Sequence, residues 1–68
     1  MIKKAVIVGG SGFIGSHVAD HLSDKGYQVT VYDLNLSPWL RKDQRMVVGN
    51  VLDIQKLNET IEGSEVVY

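Results

Sequence analysis

A run of glycines set directly after a short β-branched segment restricts this chain more than any other feature. Ala5-Val6-Ile7-Val8 leads into Gly9-Gly10-Ser11-Gly12-Phe13-Ile14-Gly15. Such a continuous apolar run has the pattern of a strand buried on both faces of a parallel sheet. Two spacings are satisfied together: Gly10, Gly12 and Gly15 spell GxGxxG, while Gly9, Gly12 and Gly15 spell GxxGxxG. Glycine serves three needs here: a tight turn off the strand, a backbone without a Cβ where a pyrophosphate approaches, and a small residue where the next helix packs on the sheet. The N–H groups at the start of that helix then bind phosphate oxygens.

The rest of the chain continues the alternation. Lys4 to Val8 reads as the first strand. Ile14, Val18 and Leu22, with Ala19 and Gly15 on the adjoining line, give Phe13 to Lys25 one apolar stripe, and Gly26 suits the left-handed position after a helix. Gln28 to Asp33 is a second strand and Arg45 to Val48 a third, ending at Gly49. Between them, Ser37 as N-cap and Pro38 at the first helical position predict a short helix from Pro38 to Lys42. Asp53 is placed to cap a helix whose Ile54, Leu57 and Ile61 face inward, Gly63 stops it, and Glu65 to Tyr68 begins a fourth strand. Strands and helices alternating over short connections predict an α/β fold with a Rossmann-type parallel sheet, truncated, in strand order 3-2-1-4. Residues 1–68 are expected to be the amino-terminal part of one dinucleotide-binding domain, without a substrate domain.

An acid closes the second strand. Asp33 follows Gly15 by 18 residues, near the roughly 20 expected for a carboxylate that binds the ribose of a dinucleotide. Glycine turns are common by themselves, but a loop between a β-branched strand and an amphipathic helix, followed by an acid at this distance, is a far narrower pattern. A carboxylate at Asp33 accepts hydrogen bonds from both adenosine ribose hydroxyls and repels a 2′-phosphate, so NAD is expected rather than NADP. No Arg or Lys follows before Arg41. Arg41, Lys42 and Arg45 would have to fold back to reach a 2′-phosphate, and their plain reading is a solvated loop face.

Composition excludes several other classes. Seven basic and eight acidic residues give a net charge of −1, with neither a block of like charge nor a basic patch for nucleic acid. Without cysteine there is no disulfide framework or thiolate metal site, and a cytoplasmic setting is expected. No stretch approaches the length of a membrane span. His17 and His21 stand four apart on one helix, but no third ligand accompanies them and no metal is expected. Trp39 reads as an amphipathic side chain laid over a loop.

Gly9-Gly10-Ser11-Gly12-Phe13-Ile14-Gly15-Ser16-His17, then Asp33-Leu34-Asn35 and Gly49-Asn50-Val51-Leu52-Asp53, resemble the amino-terminal portion of the extended short-chain dehydrogenase/reductases. Nucleotide-sugar epimerases and dehydratases are the group most resembled, and the likeness covers essentially the whole chain. It implies NAD as cofactor, with Gly9, Gly12, Phe13, Ile14 and Gly15 at the pyrophosphate, Asp33, Leu34, Asn35 and Ser37 around the adenosine ribose, and Asn50 and Val51 against adenine. The family usually carries Asp where this chain has Asn50. An amide oxygen still accepts from the adenine amino group, so adenine binding is expected to weaken rather than vanish.

In that family a Tyr-x-x-x-Lys pair carries the hydride chemistry, and this chain has none: Tyr27 is followed four later by Val31, Tyr32 by Leu36, and Tyr68 is the last residue. The chain is expected to be a catalytically inactive piece of such an enzyme, with no catalytic residue of its own. A non-catalytic dinucleotide-sensing or interaction module is the competing reading, and a Tyr-x-x-x-Lys downstream in the same reading frame would distinguish the two. Handedness puts the Asp53-capped helix alone on the second face of the sheet, so that face is expected to expose Val and Ile, and self-association is expected there or at the fourth-strand edge.

Overall fold

The computed structural model describes residues 3–9 and 12–68; Gly10 and Ser11 of the glycine motif lie outside the described residues. The chain runs β1 (Lys3–Val8), α1 (Phe13–Asp24), β2 (Tyr27–Asp33), β3 (Arg45–Val48), α2 (Ile54–Ile61) and β4 (Val66–Val67). All strand pairs are parallel and the order is β3-β2-β1-β4, as expected from right-handed crossovers. Ala5 stands opposite Val29 and Ile7 opposite Val31, while Ala5 on its other side meets Val66.

Strand alternation divides the side chains between two unlike faces. On the α1 face Ala5, Ile7, Val29 and Val31 bury completely with Ala19, and Val18, Leu22, Leu40 and Met46 pack around them. The opposite face carries Val6 and Tyr32, both fully buried, and the nearly buried Thr30. Beside them Lys4, Gln28, Thr30, Arg45, Val47 and Thr60 line an open groove of about 310 Å³. Lys4 Nζ donates to the carbonyls of Thr60 (2.6 Å) and Glu62 (3.2 Å), tying the end of α2 to the start of β1.

This second face corrects one expectation. Among its valines only Val67, on β4, is exposed; Val6 is buried and Val47 half-buried. Gln28, Thr30 and Arg45 occupy the same alternation positions on β2 and β3, so the outer half of the face is polar and needs no apolar cover.

The short helix from Pro38 to Lys42 is absent; residues 34–44 form turns instead. Ser37 Oγ accepts from Trp39 N–H at 3.3 Å, a local turn rather than a helix cap. The segment has no apolar stripe to reward a helix. It packs through single anchors: Leu40 meets the core, and buried Gln44 donates through Nε2 to Asp20 Oδ1 (2.9 Å) and Ser23 Oγ (3.0 Å) on α1.

The two helices hold a further difference. Ile14 and Ile54 stand on the expected apolar stripes yet are 75% and 61% exposed. Each lies in the first turn of its helix, at the edge where a strand has just ended and little sheet remains to cover. Asp53 caps α2 as expected, its Oδ1 accepting from Lys56 N–H at 3.2 Å, and Gly26 follows α1 with φ +93°.

Gly49 is the tightest backbone position. A Cβ there would stand 2.5 Å from Tyr32 Oη and 2.7 Å from Cζ. The ring cannot swing aside, being fully buried and hydrogen-bonded through its hydroxyl to the Asn50 carbonyl at 2.7 Å. Gly49→Ala is therefore expected to cost about 1–3 kcal/mol by overpacking, a large share of the roughly 3–5 kcal/mol that a core of this size supplies. Urea unfolding checks it; an unchanged midpoint would mean that Tyr32 relocates freely.

Candidate functional site at the carboxyl edge of the sheet

Parallel strands all end on one side, and the turns that follow β1, β2 and β3 meet there. Leaving β1, Gly9 turns with φ +78°, a region that side-chain-bearing residues rarely enter, and its N–H donates to the Tyr32 carbonyl at 2.7 Å. The glycine turn is thereby fastened to the neighbouring strand. Gly12 is the N-cap of α1 and accepts the first helical bond, from Ser16 N–H at 2.9 Å. Gly12 has no side chain to cap the helix, and no acid stands in the first turn. The first N–H groups of α1 lack intrahelical acceptors by geometry and carry the positive end of the helix dipole, which suits an anion. A Cβ at Gly12 would meet nothing within 4 Å among the described residues, leaving room beside that position. Phe13 and Ile14 flank it, both exposed, and Gly15 is half-buried.

Asp33 ends β2 at the same edge. Its Oδ1 accepts from Leu34 N–H at 2.6 Å and Asn35 N–H at 3.5 Å, and its carbonyl accepts from Gly49 N–H at 2.9 Å. The carboxylate is half-buried while Leu34 and Asn35 are exposed. Arg41 is occupied elsewhere: Nη1 meets Asp24 Oδ1 at 3.0 Å and Nε meets Asp43 Oδ1 at 3.3 Å. The Asp24 hydrogen bond, with Asp43 and Asp20 nearby, raises the guanidinium pKa further above its already high value.

Beyond β3, Asn50 and Val51 open an exposed turn. The Asn50 carbonyl accepts from Tyr32 Oη at 2.7 Å and Asp53 N–H at 3.0 Å. Its side-chain Oδ1 accepts from Leu52 N–H at 2.9 Å. The amide oxygen expected to face a base is therefore engaged within the turn. Lys56 of α2 adds a bond from Nζ to the Val48 carbonyl at 2.6 Å.

Sequence reasoning singled out residues that the structure brings to this edge and missed those that hold them there. Tyr32 supports the Asn50 turn from beneath; its place in a strand one residue before Asp33, with Gly49 after the facing strand, was the available signal. Phe13 also proves structural, its ring edge-on to His17 (4.5 Å between centroids) and Trp39 (5.9 Å). Among the described residues no group of three or more His, Cys, Asp or Glu side chains is placed to hold a metal ion, and no helix is long and apolar enough to cross a membrane.

The profile of the NAD dependent epimerase/dehydratase family matches residues 5–68. The chain belongs to that family. It is 35% identical over 75 residues to a UDP-N-acetyl-alpha-D-glucosaminuronate decarboxylase from Bacillus cytotoxicus, covering 100% of this chain and 23% of that protein. It is 42% identical over 62 residues to a UDP-glucose 4-epimerase from Rhizobium meliloti, covering 87% and 19%. Among solved structures, the UDP-glucose 4-epimerase from Brucella ovis in complex with NAD superposes with a TM-score of 0.85 at 37% identity, over 96% of this chain and 21% of that one. The chain thus spans about a fifth of the length of these family members.

Burial raises the Tyr32 pKa above the ordinary tyrosine value, and the nearby Asp53 carboxylate adds to the effect. A folded-state pKa above the unfolded value stabilises the fold fully below the unfolded pKa, near 10, and that contribution disappears as pH rises through the folded pKa. Unfolding free energy is expected to fall above pH about 10 more steeply in wild type than in Tyr32→Phe. Parallel slopes for the two proteins in denaturant titrations would contradict this placement of the hydroxyl.

Proposed function

We propose that this chain forms the adenosine-diphosphate side of an NAD site in an oxidoreductase of the nucleotide-sugar epimerase/dehydratase type. The observation that carries the reading is the convergence, on one edge, of the Gly9 turn, the open and uncapped start of α1, the Asp33 carboxylate and the Asn50 turn. In doubly wound sheets ligands bind outside the carboxyl ends of the strands, where the strand order reverses. Here β2 and β3 extend from one side of β1 and β4 lies on the other, so the reversal falls at β1, whose end carries the glycine turn.

The residues divide by subsite. Gly9 and Gly12 let the backbone approach the pyrophosphate, and the Phe13, Ile14 and Gly15 N–H groups receive its charge. Asp33 takes the adenosine ribose hydroxyls, with Leu34 and Asn35 as the wall of that subsite, and Asn50 and Val51 border the base. NAD is favoured over NADP because the Asp33 carboxylate repels a 2′-phosphate and Arg41 is held by Asp24 and Asp43. When bound, a nicotinamide dinucleotide supplies a hydride acceptor and donor for the transient oxidation of a sugar hydroxyl. This chain's own residues bind and orient it; none of them supplies the acid/base.

Two substitutions test the reading. Asp33→Asn keeps an oxygen for the Leu34 N–H while removing the charge, and is expected to lower the ratio of NAD to NADP affinity by about tenfold. Titration of both dinucleotides against both proteins measures it, and an unchanged ratio would remove Asp33 from the site. Gly12→Ala adds a methyl where the protein leaves open space, at φ −77° and ψ 171°, angles that alanine adopts readily. Stability is expected to stay within about 1 kcal/mol of wild type while NAD affinity falls at least about tenfold. Unaltered binding would place the pyrophosphate elsewhere.

A further inference from the structure

The open groove of about 310 Å³ on the second sheet face is floored and flanked by donors, and no acid borders it. Register brings them together: Lys4 stands opposite Gln28 across β1 and β2, and Thr30 opposite Arg45 across β2 and β3. Gln28 and Thr30 are two apart on one strand, so all four side chains leave the same face, toward the amino ends of their strands. Thr30 is only 5% exposed, yet its hydroxyl has no hydrogen-bond partner among the described residues. The other buried polar residues, Ser16 and Gln44, are both bonded. Arg45 is exposed, and its guanidinium makes no hydrogen bond or ion pair among the described residues. Lys4 Nζ spends two of its three hydrogens on the Thr60 and Glu62 carbonyls. Those acceptors are neutral and leave its charge unbalanced, and among the described residues the ion pairs belong to Arg41 alone. Two uncompensated cations, a buried hydroxyl and an amide thus surround one concavity, in a chain whose net charge is −1.

We infer that this groove is an anion site, separate from the carboxyl edge of the sheet, that takes a phosphate group. Neighbouring strands lie about 4.8 Å apart, so Lys4 on β1 and Arg45 on β3 flank Gln28 and Thr30 on β2, and their long side chains reach the same space from opposite sides. Donors that converge from three strands suit the tetrahedral oxygens of phosphate better than the two coplanar oxygens of a carboxylate. The Arg45 fork serves two oxygens at once, while the third Lys4 hydrogen, the Thr30 hydroxyl and the Gln28 amide serve the rest. Two positive charges also match a dianion. The groove is open on one side and roomier than the ion alone requires, so the same chemistry accepts free phosphate or a phosphate monoester. Gly9, Asp33 and Asn50 lie at the other ends of these strands, so the site does not depend on the dinucleotide reading.

The test is a titration of the ¹⁵N-labelled protein with inorganic phosphate, glycerol 3-phosphate and acetate at constant ionic strength. The Gln28 side-chain amide and Arg45 Nε resonances are expected to move along one saturating curve with either phosphate, and acetate to bind at least about tenfold more weakly. Tighter glycerol 3-phosphate makes this a monoester site, and equal or tighter inorganic phosphate a site for the free ion. Phosphate also suits the start of α1, so the Phe13 N–H resonance is followed beside them; its curve is expected to be untouched by Arg45→Gln. At the groove, Arg45→Gln removes an exposed charge and is expected to weaken phosphate at least about tenfold. Thr30→Val removes the unpartnered hydroxyl; stability is expected to hold or rise while phosphate affinity falls about threefold or more. Gln28 and Arg45 resonances that respond no more to phosphate than to acetate, or an affinity that either variant leaves unchanged, overturn the inference. Should Thr30→Val fail to fold, the wild-type resonances and exposed Arg45→Gln decide the matter.

Discussion

Parallel pairing of β1, β2 and β3 is the constraint on which the rest depends. Strands that point one way must each be re-entered from the far edge, so every connection begins where a strand ends and crosses the whole sheet. All the strand ends, and the first turns of both helices, are thereby delivered to one side. Nothing about Asp33 or Asn50 requires them to be neighbours in sequence, yet the hydrogen bond from Gly49 N–H to the Asp33 carbonyl makes them neighbours in space. The helix starts overhang this edge, which leaves Phe13, Ile14 and Ile54 exposed where an amphipathic stripe alone would bury them. Their exposure is a consequence of the crossover and not a flaw in the core.

The two faces answer to different demands. The α1 face is a continuous apolar layer from Ala5, Ile7, Val29, Val31 and Ala19, and there the loop between β2 and β3 need contribute only Leu40 and Gln44 to hold its course. The other face buries Val6 and Tyr32 but turns polar toward β3. Lys4 adds a polar tie to α2, bonding the last carbonyls of the helix, where a cation also suits the negative end of the dipole. A face built in this way tolerates solvent on its outer half.

Much of this was legible in the residues, and what was not has identifiable causes. The β-branched runs at Ala5 to Val8 and Arg45 to Val48, the Asp53 cap and the strand order all follow from local pattern plus handedness, because in each the local preference and the tertiary demand agree. At Pro38 they conflict: Ser37 and Pro38 fit a helix start, but no apolar stripe follows, and the long-range anchors of Leu40 and Gln44 decide the path. Asn50 shows a different limit. Its residue type allows the amide to present either end, and only the position of the Leu52 N–H, two residues on, determines which end turns inward.

Tyr32 joins the two levels most directly. One side chain is both fully buried in the sheet and the donor that holds the Asn50 carbonyl, so the packing that stabilises β2 also positions the turn after β3. Gly49 is the complement of that ring: only a residue without a Cβ lets β3 end so close to it. A change at either position therefore reaches the turn through the core, whereas a change at Asn50 reaches it through the bond from Leu52 N–H. The buried ring holds the Asn50 carbonyl from beneath and the Asn50 side chain closes the same turn onto Leu52 N–H, so core packing and turn closure meet in one residue.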